Sequence, residues 1–378
     1  MSVVASATSK IFCNNQKLRP MVKLKEKVNF AGQNIYVGMD VHLRSWSIAL
    51  VFEGHFIRRF SQPPNVESLC TTLERDYPGA SLHVAYEAGF CGFGIQRELS
   101  NRGCYCIVVN AADIPKSDKE RKNKTDSMDA RSIAENLAAN KLTAIHVPDT
   151  KTESDRQLVR CRLSILRDLQ RTKNRIKSAL YFKGIQIPEK FDNSNWSKAF
   201  VEWLKGIETE HPSGKLMFTR MIEQLEWERS QLLQIIRDAR AILKEEEYDP
   251  NTKLLLSVPG IGPLNAVTIL TEIGDIKRFT RAIHFNSFLG LCPTEHSSGE
   301  KEYKGGMTIR SNNMLRPMII EAAWVAIRHD PALMLAFEKY KKKGINPKRA
   351  IVKIAHKLTN RIYHTLKEKE LYEKGTVK

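Results

Sequence analysis

The sequence lacks long apolar runs, and we expect it to contain neither a membrane span nor a secretory signal. No apolar run reaches the roughly 18 residues of a membrane-spanning helix. Residues 1–34 are basic but have no apolar core ahead of a cleavage site, so we predict a flexible basic arm, with an amphipathic targeting segment as the alternative. The seven cysteines are odd in number and include no Cys-x-x-Cys pair. These absences favour a protein of the reducing cytoplasm without a membrane partner.

Acidic residues are scarce relative to basic ones. Lysine and arginine number 60 against 42 aspartates and glutamates, which gives a formal charge of +18. Such an excess favours a polyanionic partner, nucleic acid first and an anionic membrane surface second. Residues 339–361 hold nine basic residues and no acid. That run is either a solvated surface or a nucleic-acid contact, and the net charge favours contact through Lys342, Lys343, Lys348 and Arg349.

The first 150 residues alternate between strand patterns and helix patterns. Three short apolar segments come first, and they predict antiparallel strands with a turn at Glu53-Gly54-His55. Later strands alternate with helices, which is an α/β pattern. The predicted strands cover 35–40, 46–52, 56–60, 82–87 and 105–109, and the predicted helices cover 65–76 and 92–102.

Four acidic residues lie at the ends of predicted strands or on a predicted helix of this pattern. Asp40 and Glu87 lie at the ends of two predicted strands. Asp126 and Asp129 are three residues apart on a predicted helix, so their carboxylates share one face. With the strand order, this layout predicts an RNase H-like nuclease core. For the helical pair alone, the simpler interpretation is that the helix dipole favours acids in the first turn.

Cations surround the acid-bearing helix. Lys122, Lys124 and Arg131 lie within a few residues of it, and Thr125 is its predicted N-cap. A site for a polyanion needs such charges beside its carboxylates, because they neutralise phosphates. We therefore predict that these three basic residues contact nucleic acid.

Two charged segments with helical periodicity follow, at 152–183 and about 215–244. They predict a helical hairpin or coiled coil that would serve as an oligomerisation arm, and an ordinary helical subdomain is the alternative. Residues 184–213 between them contain Pro188, Pro212 and several Asn and Ser, and we expect them to be irregular.

Residues 254–266 combine an apolar helix, a Gly-x-Gly turn and a second helix. This is the pattern of a helix-hairpin-helix element, in which glycines let backbone N–H groups approach a phosphate. Gly260 and Gly262 are the predicted contacts. The alternative is a glycine turn that only permits tight packing of helices.

Residues 296–310 are polar, rich in glycine and basic. By composition alone they predict a surface loop, in which a serine is usually solvated. The functional alternative is a serine held beside cations so that it can attack a phosphodiester. The neighbouring cations, all predicted to contact nucleic acid, are Lys301, Lys304 and Arg310.

Five short motifs follow one another along the chain. They are Gly38-Met39-Asp40-Val41-His42, Tyr86-Glu87-Ala88-Gly89, Lys124-Thr125-Asp126-Ser127-Met128-Asp129-Ala130, Val258-Pro259-Gly260-Ile261-Gly262-Pro263 and Ser297-Ser298-Gly299. In this order and spacing the sequence resembles the DEDD-type transposases of the insertion-sequence family numbered one hundred and ten, relatives of the Piv DNA invertases. The resemblance extends from Tyr36 to about Tyr363.

The resemblance implies a RuvC-like N-terminal domain, a coiled-coil region and a mostly helical C-terminal transposase domain with the helix-hairpin-helix-like element. It implies that an acidic tetrad binds Mg²⁺, and the matching positions are Asp40, Glu87, Asp126 and Asp129. Carboxylates suit this role, because Mg²⁺ prefers hard oxygen ligands. Four acids could hold one ion or two ions roughly 3.5–4 Å apart.

The resemblance also implies a covalent mechanism. The serine directly before Gly299, which is Ser298, would be the nucleophile that forms a phosphoserine link to DNA, with Ser297 as the fallback. The family's members are guided by a structured noncoding RNA from their own element, the bridge RNA, which pairs with target and donor DNA. They act as homodimers that assemble into tetramers. The implied location is the bacterial or archaeal cytoplasm, at the nucleoid.

The predicted domains are the arm at 1–34, the RuvC-like domain at 35–150, the helical region at 151–250 and the transposase domain at 251–378. Two other classes of function compete with the recombinase. The first is a structure-selective, Mg²⁺-dependent nuclease that cuts junctions by water attack and leaves Ser298 idle. The second is a non-catalytic protein that binds RNA or DNA.

Overall fold

The computed structural model of the chain describes residues 29–115, 126–192, 195–298 and 301–375. For residues 126–128, 294–298 and 301–304 it describes the backbone only. The chain divides into two compact units between Val147 and Pro148. No helix in the described ranges is both long and apolar enough to cross a membrane. The four predicted domains, including a separate arm at 1–34, remain predictions.

The first unit is built on a five-stranded mixed sheet, which confirms the α/β prediction. Its strands are β1 (Asn34–Val41), β2 (Trp46–Phe52), β3 (His55–Gln62), β4 (Ser81–Glu87) and β5 (Tyr105–Val109). Their order across the sheet is β3-β2-β1-β4-β5, with β1, β2 and β3 antiparallel and β1, β4 and β5 parallel. The turn between β2 and β3 has positive φ at Glu53 (50°) and Gly54 (77°), as a two-residue hairpin turn requires.

Helices cover both faces of this sheet. They are α1 (Val66–Asp76), α2 (Gly94–Asn101) and α3 (Asp126–Ala138). The helix α1 begins after Asn65, whose side chain accepts the backbone N–H of Ser68 at 2.7 Å. The face of the sheet that carries Val37 and Met39 shares a core with α1 and α2. The opposite face shares its core with α3, and the predicted N-cap of that helix, Thr125, lies outside the described residues.

The second unit begins with two long helices that pack side by side. They are α4 (Thr150–Phe182) and α6 (Pro212–Ile242), with the short helix α5 (Lys198–Lys205) between them. Val159, early in α4, shares a core with Ala239, late in α6. Further along, the Thr172 hydroxyl donates to Glu228 at 3.0 Å. The two helices therefore run antiparallel as a helical hairpin.

The prediction that residues 184–213 are irregular is wrong for α5. This helix starts at the N-cap Ser197, whose hydroxyl accepts the N–H of Phe200 at 3.2 Å. It then buries Phe200, Val201 and Leu204 against α4 and α6. Eight residues are too few for periodicity to stand out, and the helix depends on this packing.

The rest of the second unit is mostly helical, as predicted, and packs around one apolar core. Its helices are α7 (Asp249–Ser257), α8 (Pro263–Ile273), α9 (Ala282–Leu289), α10 (Leu315–His329), α11 (Pro331–Lys342) and α12 (Pro347–Glu368). Between α9 and α10 lies an antiparallel pair of strands, β6 (Pro293–Ser298) and β7 (Lys301–Met307). The surface loop predicted at 296–310 is therefore wrong over most of its length. Cross-strand hydrogen bonds outweigh a glycine-rich composition that argues against strands.

Candidate active site and nucleic-acid interface

Asp40 and Glu87 are neighbours on two parallel strands. The register of β1 and β4 pairs Met39 with Tyr86, so the next residue on each strand is one of the two acids. Alternate side chains of a strand share a face, and Gly38, two residues before Asp40, faces α3. Both carboxylates therefore lie on the face of the sheet that α3 covers. The Asp40 side chain is 17% exposed, and the Glu87 Oε1 atom is buried.

The helix α3 crosses β1 in backbone contact at Gly38. A Cβ atom at this position would lie 2.1 Å from the carbonyl oxygen of Ala130 and 2.4 Å from the nitrogen of Ala134. Only glycine allows so close an approach. Asp129 directly precedes Ala130, so the crossing holds residue 129 on the same face as Asp40 and Glu87. This explains why the first motif places a glycine two residues before its acid.

The donor chemistry of this face fits a hard divalent cation, because each predicted ligand is a carboxylate. Among the described side chains, no three acids, histidines or cysteines lie close enough together to hold a metal ion. The side chain of Asp126, the fourth predicted ligand, lies outside the described part. His42 supports the set, because its Nε2 atom lies 3.2 Å from Asp40 Oδ2 and restrains that carboxylate.

Arg131 is held within the first unit rather than projecting freely. Its Nε atom donates to Glu135 at 2.7 Å, and its guanidinium lies over the Phe56 ring at 4.5 Å. The pair with Glu135 is exposed and worth little, so Arg131 could exchange it for a phosphate. The other two cations predicted beside the acids, Lys122 and Lys124, lie outside the described residues.

The two glycines of the turn between α7 and α8 have different surroundings. Gly260 has φ +85°, and a Cβ there would lie 2.2 Å from the Ala322 carbonyl oxygen of α10. Tight packing therefore accounts for Gly260. Gly262 has open space around it and precedes α8, whose first backbone N–H groups have no side-chain cap. It lines an open cleft of about 340 Å³ together with His329 and Lys374.

The strands β6 and β7 carry the predicted nucleophile at their far end. Ser298 is the last residue of β6 and pairs with Lys301, and Ser297 pairs with Glu302. The side chains of Ser297, Ser298, Lys301 and Lys304 lie outside the described part. Arg310 follows β7 and is exposed.

The base of these strands is fixed to the helices. Arg316, in the first turn of α10, donates from Nη1 to the carbonyl oxygens of Thr308 (2.7 Å) and Gly290 (3.2 Å). The backbone N–H of Thr308 donates to the carbonyl oxygen of Cys292 at 3.1 Å. The strand pair is thus anchored where it leaves the core, while Ser298 lies at the opposite end.

A buried carboxylate that the sequence analysis missed joins three parts of the second unit. Glu272 in α8 is 3% exposed. Arg160 of α4 donates to both of its oxygens, at 2.6 and 2.9 Å, and Asn312 donates at 2.9 Å. Burial raises the pKa of Glu272, but the hydrogen bonds and charge of Arg160, with Asn312, hold it below its usual range. The available signal was that Glu272 is the one charged residue of the helix Pro263–Ile273.

Four cations of the basic run at 339–361 lie close together in sequence around one turn between two helices. Lys342 and Lys343 end α11, and Lys348 and Arg349 begin α12, so all four flank the turn at Gly344. All four are exposed, and we call them the turn cations. Cations are unfavourable in the first turn of a helix, because the helix dipole is positive there. Stability of the helix therefore does not explain why Lys348 and Arg349 occupy its first turn. Binding of an external anion by these two side chains would explain it.

Two models of known protein families match the chain. One, described as "Transposase IS116/IS110/IS902 family", matches residues 252–338, which include Ser298. The other, for DEDD transposases of IS110 elements and described as "Transposase", matches residues 37–183, which include all four predicted acids. The chain therefore carries two transposase domains, one with the acidic positions and one with the predicted serine.

Proteins that are similar in sequence to this chain are named as transposases. A Sinorhizobium fredii (strain NGR234) protein named as a candidate transposase, y4qE, is 30% identical over 67% of this chain and 60% of its own length. A second from that strain, y4rJ, is 28% identical over 73% of this chain and 74% of its own. The transposase for insertion sequence element IS1111A of Coxiella burnetii is 28% identical over 68% of this chain and 70% of its own. The chain belongs to the IS116/IS110/IS902 family of transposases.

Proposed function

We propose that this protein cuts and rejoins DNA to move an insertion sequence, guided by a structured noncoding RNA from the same element. The observation that carries the proposal is the shared face of Asp40, Glu87 and residue 129, fixed by the contact of α3 with Gly38. A formal charge of +18 suits a protein that holds two nucleic acids at once.

The acidic face would hold Mg²⁺ through Asp40, Glu87, Asp126 and Asp129. The bound ion would act as a Lewis acid on the scissile phosphate. The chain's own contribution would be orientation, because the strands β1 and β4 and the helix α3 would hold the carboxylates on one face before DNA binds. His42 adds to this through its contact with Asp40 at 3.2 Å.

Ser298 is the proposed nucleophile, with Ser297 as the fallback. Its Oγ atom attacks the phosphorus of a DNA phosphodiester and loses its proton, and the deoxyribose oxygen leaves and takes up a proton. The product is a phosphoserine ester between protein and one DNA end. Attack on this ester by a deoxyribose hydroxyl of another strand restores the serine. The energy of the phosphodiester is conserved, so rejoining needs no ATP.

The proposed partners follow from the charged and helical parts of the chain. The turn cations, Arg310 and the open N-terminus of α8 at Gly262 would contact phosphates of target DNA, donor DNA or guide RNA. The hairpin of α4 and α6 would assemble two copies into a homodimer, and two dimers into a tetramer. The homodimer would bring a second acidic face and a second Ser298 to the DNA.

The test is to purify the protein from cells that carry its element and to sequence the RNA bound to it. We expect one structured RNA with segments that match the donor and target DNA. Adding this RNA, both DNA duplexes and Mg²⁺ should then yield recombinant DNA. If Mg²⁺ alone supports cleavage of branched DNA, without RNA and without rejoining, the protein is instead a structure-selective nuclease.

A further inference from the structure

The helix α4 has an outward face that packing inside the unit does not use. Its inward face is marked by the buried residues Val159, Leu169, Ile176 and Leu180. The opposite positions, at intervals of three or four residues, are all exposed. They are Ser164, Arg167, Arg171, Arg175, Ser178 and Phe182.

This face has a strong excess of positive charge. The helix α4 holds nine Lys and Arg against three acids, whereas α6, which packs beside it, holds five against four. Arg167, Arg171 and Arg175 are four residues apart, so they form a row with a rise of about 6 Å per step. Such a row presents its guanidinium groups along one line, as a positive track for the backbone of a single strand does.

Few acids neutralise the row. Arg171 has an ion pair with Asp168 at 3.1 Å, in which both side chains are exposed. Such a pair is worth at most about 1 kcal/mol and can be exchanged for a phosphate. Neither Arg167 nor Arg175 has an ion-pair partner within the described ranges of the chain. Two of the three guanidinium groups thus need not leave a protein partner to bind an anion.

The row leads to exposed aromatic side chains at the end of α4. Phe182 is 89% exposed and is the most exposed aromatic residue in the described part of the chain, and Tyr181 is 62% exposed. Phe182 lies on the outward face, seven residues beyond Arg175. Proteins that bind single strands combine a positive track for the backbone with aromatic rings on which bases stack.

We propose that this outward face, which we call the basic ridge, binds a single-stranded stretch of nucleic acid. Arg167, Arg171 and Arg175 contact its phosphates, and Phe182 stacks on an unpaired base. The inference rests on the proposed function, in which the protein works on nucleic acid. A second copy of the chain is the poorer occupant, because two basic ridges facing each other repel. Duplex DNA would satisfy the arginines but leave Phe182 without an unstacked base.

The test uses full-length protein and three labelled probes: a 20-nucleotide uridine RNA, a 20-nucleotide thymidine DNA and a 20-base-pair duplex DNA. The charge variant is Arg167→Gln with Arg175→Gln. The matched control is Arg237→Gln with Arg240→Gln, which removes two exposed charges from α6. The stacking variant is Phe182→Ala. Affinity is measured for every pair over a series of salt concentrations.

We expect the charge variant to bind both single strands at least tenfold more weakly than the control, with a salt slope lower by about 1.4, since each lost single-strand contact contributes about 0.7. Phe182→Ala should weaken single-strand binding about fivefold or more and leave duplex binding unchanged. The charge variant should lose more affinity for the single strand that the basic ridge prefers, so the loss measured with RNA is compared with the loss measured with single-stranded DNA.

Three results would overturn the proposal. One is equal affinity in the charge variant and its control. Another is an equal loss for the duplex and the single strands in the Phe182→Ala variant. The third is that the charge variant has a different oligomeric state from wild type in analytical ultracentrifugation. The basic ridge would then be a contact between copies of the chain. If the wild-type protein binds none of the probes, the proposed function fails together with the ridge.

Discussion

Replacing Glu272 by glutamine tests how the second unit holds its parts together. The carboxylate of Glu272 accepts two hydrogen bonds from Arg160 and one from Asn312, at 2.6, 2.9 and 2.9 Å. The amide of a glutamine has only one accepting oxygen and presents an NH₂ group to donors. Glu272→Gln therefore loses the charge and at least one of these bonds, with almost no change in shape.

The expected loss in the free energy of unfolding depends on how deeply Glu272 and Arg160 are buried. Breaking a fully buried ion pair costs about 3–5 kcal/mol. Here the side chain of Glu272 is 2% exposed but that of Arg160 is 54% exposed, so the arginine can turn to water and part of the cost is avoided. We expect a loss of about 2–3 kcal/mol in the free energy of unfolding. For a unit of this size, that lowers Tm by roughly 4–12 °C.

The pH dependence has a definite sign. The folded pKa of Glu272 lies below 4.5, because Arg160 and Asn312 outweigh the effect of burial. Its stabilising contribution is therefore complete above pH 4.5 and is lost as the pH falls through the lower, folded pKa. The stability gap between wild type and Glu272→Gln should be full at pH 7 and should narrow as the pH falls through that folded pKa.

The assay is thermal unfolding followed by calorimetry at pH 7 and at several acidic pH values. The matched control is Glu226→Gln, which breaks an exposed pair with Lys205 (2.8 Å) and should cost less than about 1 kcal/mol. Equal stability of the two variants at pH 7 would show that Glu272 does not join α4 to α8 and to Asn312. A gap that widens in acid would contradict the assigned pKa.

Three further predictions concern the two units separately. Asp40→Asn should abolish DNA strand exchange and leave nucleic-acid binding nearly intact in a gel-shift assay, because an amide keeps the shape and loses the metal-binding charge. Gly38→Ala should destabilise the first unit by about 3 kcal/mol in urea titration, since its Cβ would meet Ala130, while Gly89→Ala, which has open space, should not. Replacing the four turn cations by glutamine should lower the salt slope of duplex DNA binding by about 3.6, and an unchanged slope would make them a solvated surface.

The first unit could be predicted from sequence in detail. The alternation of apolar residues indicates all five strands, and the predicted bounds of Trp46–Phe52 and Tyr105–Val109 match the structure. What the pattern could not give is the crossing of α3 over β1. That contact depends on backbone atoms of Ala130 and Ala134 meeting Gly38, and nothing in the spacing of the residues predicts which helix will cover a glycine.

The second unit shows where composition misleads. Glycine and lysine predicted a loop at 296–310, but pairing of β6 with β7 decides the conformation. Glu272 was overlooked for a related reason, because its partners Arg160 and Asn312 are 112 and 40 residues away in sequence. Gly260 is predicted to contact phosphate, and the turn pattern could not reveal that it also packs closely against Ala322. The contacts of Glu272 and Gly260 join distant segments, which local sequence does not specify.

The most direct test of the proposed mechanism is whether Ser298 becomes covalently joined to DNA. Protein, guide RNA, labelled donor and target DNA and Mg²⁺ are incubated and run on a denaturing gel. We expect a retarded protein–DNA band with wild type and with Ser297→Ala, and none with Ser298→Ala, which should still fold and bind DNA and RNA. A band that survives in Ser298→Ala, or its absence with wild type while DNA is still cut, would contradict the account.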